Sequence, residues 1–502
     1  MSRVRHNDYG VLRPPAIGAW EPELSVSVVI PAYDCQEALE RAASALAAQT
    51  YPAELVEIVV ADDGSTPPVE LPGARVVRVT GGWGRGAARQ AGQLAATGEV
   101  IHWLDSDMIL APDHLEAHMR WHHLLDHVVV IGDIRFVTAP GEEGTRPEYT
   151  SKTLESTRML KDAGTSAYLL HTGASTSVRA GLLRAAGGVD VSLNMAEDTE
   201  LGYRLAQAGA VFVPDPQARA WHVGPSTVML REKEVHRHNW SYLGDLVPDL
   251  RWLRGHPRRH WRVPYVRVVV SATTYEETRA SVDAALAGTL PDAAVTVVGP
   301  WGELTGERRS SLDDPLLDLR LLHNMYAHEP RVTFAESEPD SAAPTPFLLR
   351  LPAGWVLGAD TLARLVRLAD EDLLGLVCVA LAEDGGEDGG EVVAARLERT
   401  AAFARAARFD GAADDLVDEL FGVLWVEGGE HGFGPAEDAP PLGGDPAKWR
   451  ALAVRRLEET KELRAEVDRL AAEVERLSGP RDEEDPAPGP LSSLIRHLRS
   501  AG

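Results

Sequence analysis

Cysteine is nearly absent from this chain of 502 residues, which contains only Cys35 and Cys378. Two cysteines cannot form a disulfide framework or a cysteine zinc site. A chain without such a framework suits a reducing compartment. We therefore expect a cytoplasmic protein.

Basic residues are also scarce. The chain has 50 lysines and arginines against 76 aspartates and glutamates, so its formal net charge is −26. Binding to nucleic acid normally needs a basic face that neutralises phosphates. The charge balance therefore argues against nucleic acid as a partner.

Long apolar runs are missing as well. None is long enough to span a bilayer, and Met1–His6 is not followed by the apolar segment of a signal peptide. We expect a soluble protein, or at most one that is peripheral at the inner face of a membrane.

Apolar segments rich in β-branched residues alternate with segments of helical composition, and the length favours about three domains. The predicted strands are Val26–Ile30, Val56–Ala61, Arg75–Val79 and Val100–Leu104, and the predicted helices are Gln36–Ala48 and Gly86–Ala96. We expect Pro31 to end the first strand. The alternation predicts an α/β fold with parallel crossovers.

Polar residues follow three of these strands. Pro31, Asp63 and Asp105 stand at the carboxyl ends, where α/β sheets bind ligands. Asp105 and Asp107 are two apart, so an extended backbone directs them to the same side. Two carboxylates held together suit a hard divalent ion such as Mg²⁺ or Mn²⁺, which would recruit a diphosphate.

A second block near Val266 repeats this pattern. Phe347–Leu351 aligns without gaps on Val100–Leu104, and the similarity favours an internal duplication. The acidic residues are not repeated, because Pro352–Gly354 and Gly299–Gly302 occupy the corresponding positions. Chance similarity between two α/β domains is the alternative explanation.

Five motifs in order resemble those of a family 2 glycosyltransferase of the GT-A fold, over about residues 26–245. They are Ser27–Tyr33, Ala61–Ser65, Gly86–Arg89, Asp105–Asp107 and Ala196–Leu205, with Ala220–His222 after them. The resemblance implies a Rossmann-like mixed sheet. Together with the second block and an apolar heptad pattern near the C-terminal end, it suggests this division of the chain: an extension (1–25), a catalytic domain (26–245), a smaller degenerate GT-A-like domain (265–425), a heptad helix (447–478) and a tail (479–502).

The resemblance also implies roles for single residues. The expected metal ligands for Mn²⁺ or Mg²⁺ are Asp105, Asp107 and His222. The residues expected to bind the nucleotide sugar are Pro31, Tyr33, Asp63, Arg89, Asp105 and Ser106. Asp198 is the expected general base, and Glu197 is expected to help place the acceptor.

Each of these residues also has a plainer interpretation. The two aspartates would then form a solvated turn, His222 would be an ordinary partly buried histidine, and Tyr33 would pack at a strand end. Arg89 would lie on a helix surface. Asp198 and Glu197 would begin a helix at Thr199–Ala208, where negative charge suits the dipole.

The function implied is inverting, metal-dependent sugar transfer from a nucleotide-diphosphate donor to an acceptor hydroxyl. Family habit favours a UDP-sugar; the acceptor could be a glycan of polysaccharide biosynthesis, a lipid-linked glycan or a small molecule. The alternatives are a nucleotidyltransferase and a non-catalytic nucleotide-sugar-binding scaffold. The heptad in 447–478 suits either a homodimer or a helix packed on its own chain, and the tail suits either membrane contact or docking.

Overall fold

The computed structural model of the chain describes residues 2–256, 259–307, 310–383 and 392–438, with six helical positions between 461 and 470. The chain divides into a unit at Met1–Ala436 and a unit at Glu437–Gly502. The predicted heptad helix, apart from those six positions, and the predicted tail lie outside the described residues.

The first sheet has eight strands within the described ranges, joined in the order β3-β2-β1-β4-β7-β6-β8-β5. They are β1 (Val26–Ala32), β2 (Val56–Asp62), β3 (Arg75–Arg78), β4 (Val100–Leu104), β5 (Met108–Leu110), β6 (Val128–Val137), β7 (Ser175–Arg179) and β8 (Val211–Val223). The first four strands of this order run parallel, and β7 pairs antiparallel with both neighbours. This is the mixed sheet that the resemblance implied.

Helices cover both faces of the first sheet. They are α1 (Gln36–Ala47), α2 (Arg85–Ala95), α3 (His114–His122), α4 (Glu148–Ser156), α5 (Ala180–Ala185), α6 (Glu197–Gln207), α7 (Thr227–Leu230) and α8 (Glu232–Leu246). One face of β4 presents Ile101 and Trp103 to one core cluster, and the other presents Val100 and Leu104 to a second. A sheet covered on both faces explains why these strands are almost wholly apolar.

The prediction that Pro31 ends the first strand is wrong. Strand β1 continues to Ala32, and Pro31 stands opposite Ala61 on β2. On the other side, the pairing of β1 with β4 stops at Val29. Because no ladder hydrogen bond is needed on that side, the missing N–H of proline is tolerated there.

The second sheet has seven strands in the described residues, in the order β11-β10-β9-β12-β15-β14-β16. The strands of this region are β9 (Val266–Ser271), β10 (Ala293–Val298), β11 (Val332–Ala335), β12 (Phe347–Leu351), β13 (Trp355–Leu357), β14 (Leu376–Glu383), β15 (Val392–Arg399), β16 (Val423–Glu427) and β17 (Phe433–Pro435). The helices are α9 (Tyr275–Leu286), α10 (Leu317–Tyr326), α11 (Thr361–Glu371), α12 (Thr400–Ala406) and α13 (Ala413–Leu420). Strands β13 and β17 pair as a separate ribbon.

The second sheet repeats the strand order of the first. Four parallel strands lead to an antiparallel strand, β15, which is followed by β14 and its parallel neighbour β16. Pro352–Gly354 follows β12 as Asp105–Asp107 follows β4. The predicted α/β class, with a second and smaller α/β region, is therefore confirmed. Among the described helices, none is both apolar enough and long enough to cross a bilayer.

Candidate active site

A cleft of about 540 Å³ opens at the carboxyl ends of β1, β2 and β4. It is lined by all but one of the site residues predicted from the sequence: Pro31, Tyr33, Asp63, Arg89, Asp105, Ser106, Asp107, Asp198 and His222. Glu197 is the exception. Residues from distant parts of the sequence thus meet at the sheet edge where α/β folds bind ligands.

Asp107 and His222 lie side by side because β5 pairs antiparallel with β8, with Met108 opposite His222. The His222 Nε2 atom is 3.4 Å from Oδ2 of Asp107. The other ring nitrogen, Nδ1, is 3.0 Å from the carbonyl oxygen of Gly224. Because a carbonyl only accepts, Nδ1 donates to Gly224, and Nε2 is the ring nitrogen that faces the carboxylate.

The carboxylate of Asp107 is not satisfied by protein groups. Its Oδ1 atom is buried and has no hydrogen-bond partner. Burial raises the pKa of Asp107, and the nearby His222 acts in the opposite direction. An unpartnered buried carboxylate oxygen beside an imidazole nitrogen is a donor set that fits Mn²⁺.

Asp105 points to a different partner. Its Oδ1 atom accepts a hydrogen bond of 2.8 Å from Nη2 of Arg89, whose Nη1 is ion-paired with Glu197. Arg89 is 3% exposed and Glu197 is 2% exposed. Arg89 therefore lies neither on a helix surface nor free in the cleft, and Glu197 is buried behind the cleft wall.

Burial disfavours the charged form of each buried side chain in this group, and the opposite charges beside it favour that form. Burial raises the pKa of Glu197 to about 7, although the Arg89 guanidinium beside it favours the charged form. The carboxylates of Glu197 and Asp105 in turn raise the pKa of Arg89. The guanidinium therefore stays charged and holds the two acidic side chains in place.

Tyr33 and Asp63, which follow the paired strands β1 and β2, also line the cleft. Tyr33 is 63% exposed, so it does not serve as core packing. Oδ2 of Asp63 accepts a hydrogen bond of 2.7 Å from the N–H of Gly84, and burial raises the pKa of Asp63. An exposed aromatic ring beside a fixed carboxyl group suits the face and edge of a nucleobase.

Asp198 lies on the wall formed by the start of α6. Its Oδ1 atom accepts a hydrogen bond of 2.8 Å from the N–H of Thr199. The backbone carbonyl of Asp198 accepts from Nδ1 of His171 at 2.7 Å. The helix begins at Glu197 after Ala196, which has a positive φ of 67°. One of these contacts orients the Asp198 side chain within α6, and the contact from His171 anchors the start of the helix to the rest of the domain.

Residues 27–180 match the sequence model of glycosyl transferase family 2. The resemblance seen in the motifs is confirmed for this part of the chain. The matched segment includes the DxD triplet at Asp105–Asp107 and ends before α6 and His222.

Curated relatives of this family 2 segment are glycosyltransferases. A pre-mycofactocin glycosyltransferase of Mycobacterium tuberculosis is 30% identical over 211 residues, covering 39% of this chain and 42% of the relative. A validoxylamine A glucosyltransferase of Streptomyces hygroscopicus subsp. limoneus is 26% identical over 286 residues, covering 47% of this chain and 61% of the relative. The chain thus spans about half the length of these relatives.

Among solved structures, the mannosyltransferase PcManGT from Pyrobaculum calidifontis, in complex with GDP-Man and Mn²⁺, is 18% identical. The similarity covers 45% of this chain and 67% of that chain, with a TM-score of 0.34.

Two residues of the cleft were missed in the sequence. His171 is 4% exposed, and burial lowers its pKa to about 4. Gly84, with φ of 91°, immediately precedes α2 and donates to Asp63. The glycine-rich segment before a helix is a usable signal for Gly84, whereas nothing near His171 in the sequence marks its contact with Asp198.

Proposed function

We propose that this chain is an inverting, metal-dependent glycosyltransferase that moves a sugar from a nucleoside diphosphate to an acceptor hydroxyl. The observation that carries the proposal is the pairing of Asp107 with His222. Nε2 of His222 and an unpartnered carboxylate oxygen of Asp107 lie in the same cleft as Asp198. The family 2 match over residues 27–180 supports sugar transfer over other diphosphate chemistry.

Asp107 and His222 would hold a divalent ion, Mn²⁺ or Mg²⁺, and Asp105 would complete the carboxylate side of the site. The ion, when bound, supplies Lewis-acid stabilisation of the charge on the leaving diphosphate. Arg89 holds Asp105 at 2.8 Å and thereby orients it. Tyr33, Pro31 and Asp63 would bind the nucleobase, with Ser106 near the sugar phosphate.

Asp198 would act as the general base. As the acceptor oxygen bonds to the anomeric carbon, its proton moves to Asp198, and the bond from that carbon to the diphosphate breaks. A single displacement of this kind inverts the configuration at that carbon. The hydrogen bond from Thr199 orients the carboxylate of Asp198, and the hydrogen bond from His171 fixes its backbone. Both contacts position the base for proton transfer.

The names of the curated relatives guide the choice of donor and acceptor. One is a glucosyltransferase, which favours a hexosyl donor, and family habit favours UDP as its carrier. We propose that the acceptor is a small molecule or a glycan.

We further propose that residues 265–425 form a degenerate domain that serves acceptor binding or assembly. The loops after β10 and β12 lack carboxylates at the positions that bear acids in the first sheet. Trp301 packs against Phe334 and donates to the carbonyl of Val297, so it is largely a core residue. This region therefore keeps the α/β fold of the first sheet without the carboxylates that would bind a metal ion.

A panel of nucleotide sugars tests the proposal. The full chain is incubated with UDP-glucose, UDP-GlcNAc or GDP-mannose and Mn²⁺, and release of the nucleoside diphosphate is measured. We expect release from one of the UDP-sugars, loss of release with EDTA, and recovery on adding Mn²⁺. Asp107→Ala should abolish release, and the exposed Asp318→Ala should not.

The same panel separates the alternatives. A nucleotidyltransferase would form pyrophosphate from a nucleoside triphosphate and a sugar phosphate. A scaffold would bind a donor without turnover. Either result, or equal activity of Asp107→Ala and the native chain, would reject the proposed function.

A further inference from the structure

A group of histidines is buried on the face of the first sheet that α3 covers. His114 and His118 are one helical turn apart on α3, and His102 points toward them from β4. The three side chains have no solvent exposure, and none of them lines the cleft. Their neighbours Val100, Leu104, Leu115 and Met119 form an apolar core cluster. Polar rings in such a place are costly unless their nitrogens have partners.

One nitrogen of each histidine ring and the hydroxyl oxygen of Ser175 lie close together. Nε2 of His102 is 3.3 Å from Nε2 of His114. Oγ of Ser175, on β7, is 3.3 Å from Nε2 of His114 and 3.5 Å from Nε2 of His118. One nitrogen from each histidine lies within 4.8 Å of those of the other two. A tetrahedral ion with bonds of about 2.0–2.1 Å holds its ligand atoms about 3.3 Å apart.

A contact behind the His114 ring fixes the tautomer that a metal needs. Nδ1 of His114 is 3.0 Å from the carbonyl oxygen of Arg219, so Nδ1 carries the proton and Nε2 has the lone pair. Nδ1 of His118 is 2.9 Å from Oγ of Ser177. Burial lowers the pKa of all three rings, which leaves them neutral, as ligands must be.

Protein hydrogen bonds alone do not satisfy the group. On His114, both the His102 ring and the Ser175 hydroxyl face the one lone pair at Nε2. An ion among the four atoms would use all of these lone pairs at once.

We propose that His102, His114 and His118, with the Ser175 hydroxyl as fourth ligand, form a buried structural site for one Zn²⁺ ion. Imidazole ligands without a carboxylate favour zinc over Mg²⁺, Mn²⁺ or Ca²⁺. The site has no open position toward solvent, which is typical of structural rather than catalytic zinc. It would fix β4, β7 and α3 together, and β4 is the strand that leads into Asp105.

Metal content of the full chain tests the site. The protein is stripped with a chelator, loaded with Zn²⁺, desalted and analysed by mass spectrometry for bound metal. We expect about one zinc ion per native chain, and loss of that ion in His114→Gln and in His118→Gln. Circular dichroism of each variant shows whether it has folded.

Two controls make the result specific. His122→Gln changes a histidine of the same helix that is equally buried and bonds to Ser177, but lies outside the ligand set; it should keep the zinc. Asp107→Ala should keep it too, which separates this site from the carboxylate site in the cleft. Retention of zinc by folded His114→Gln, or no zinc in the native chain, would overturn the proposal.

A measurement on the native chain needs no variant. Co²⁺ in a tetrahedral site of nitrogen and oxygen ligands absorbs strongly in the visible range, whereas octahedral Co²⁺ absorbs weakly. We expect the strong absorption after loading the stripped chain with one equivalent of Co²⁺, and its loss on adding Zn²⁺. Weak absorption only would contradict a tetrahedral histidine site.

Discussion

The two ring nitrogens of His222 have different partners, and this difference defines the metal side of the cleft. Nδ1 donates to the carbonyl of Gly224, which leaves Nε2 facing Asp107. The same ring is 4.8 Å from the ring of Phe136, centre to centre. Its orientation is therefore fixed before any ion arrives, which is the preorganisation expected of a metal ligand.

Asp198→Asn should separate catalysis from binding. The change keeps the size of the side chain and an oxygen for the N–H of Thr199, but removes the basic carboxylate. We expect affinity for the donor and Mn²⁺ to stay nearly constant while the rate of transfer falls by about 10²-fold or more. Calorimetry and a transfer assay measure the two quantities. A collapse of donor affinity would instead make Asp198 a binding residue.

His171 should make the stability of the chain depend on pH. Its pKa is lowered to about 4 in the folded chain by burial, while the unfolded chain has the ordinary value of 6.5. The unfolded state therefore binds a proton first, and this contribution to stability is full above about pH 6.5 and is lost as the pH falls toward 4. The slope is about 1.4 kcal/mol per pH unit.

His171→Gln provides the matched control, because glutamine can still donate to the carbonyl of Asp198 but does not titrate. We expect the difference in unfolding free energy between the two chains to shrink between about pH 7 and about pH 5. Urea unfolding curves at several pH values give this difference. A constant difference would show that folding does not lower the pKa of His171.

At the scale of elements, Arg89 joins three of them. It projects from α2, pairs with Asp105 after β4, and pairs with Glu197 at the start of α6. These are the elements that carry the expected metal and base residues. Breaking such a buried arrangement is costly, because it leaves an uncompensated charge.

Arg89→Met should therefore destabilise the chain by about 3–5 kcal/mol. The double variant Arg89→Met with Glu197→Leu should recover much of that loss, because one of the two stranded carboxyl groups is removed as well. Transfer activity should stay low in both, since Asp105 has lost its partner. Urea unfolding measures the energies, and a loss under about 1 kcal/mol in Arg89→Met would contradict the paired arrangement.

The strands were predictable because each is a short apolar run with local boundaries. The predicted Val100–Leu104 is identical to β4, and the predicted Val56–Ala61 differs from β2 by one residue. The extension of β1 through Pro31 was not predictable, since it depends on which neighbour pairs at that position. Propensity cannot supply such information.

The cleft residues were predictable as a set, because strand ends of a parallel sheet meet at one edge. Their pairing was not. Arg89 and Glu197 are 108 positions apart, and the direction of each side chain depends on how α2 and α6 cross. Long-range geometry of this kind has no local signal in the sequence.

At the scale of the whole molecule, the N-terminal segment connects the two sheets. The buried side chain of Arg405, on α12, donates to the carbonyls of Val4 and His6 and to those of Gly209 and Ala210. The N–H of His6 also donates to the carbonyl of Leu420. The extension expected at 1–25 is thus tied to both α/β regions.

Arg405→Met should weaken this connection strongly. Several buried carbonyl groups would lose their donor, and each loss costs about 1–3 kcal/mol. We expect a lower unfolding free energy for Arg405→Met than for Arg408→Met. Arg408 is a half-buried neighbour, and its ion pair with Asp126 is long, at 3.5 Å. Urea unfolding monitored by tryptophan fluorescence compares them. Equal stability of the two variants would show that Arg405 does not link the regions.

Titration calorimetry with the preferred donor and Mn²⁺ tests the central claim most directly, namely that one metal-dependent donor site lies at Asp107 and His222. The account predicts one donor bound per chain, no binding with EDTA, and none in Asp107→Ala. The native fold of Asp107→Ala is checked by its unfolding curve. Two donors per chain, or binding that survives both EDTA and Asp107→Ala, would contradict the account.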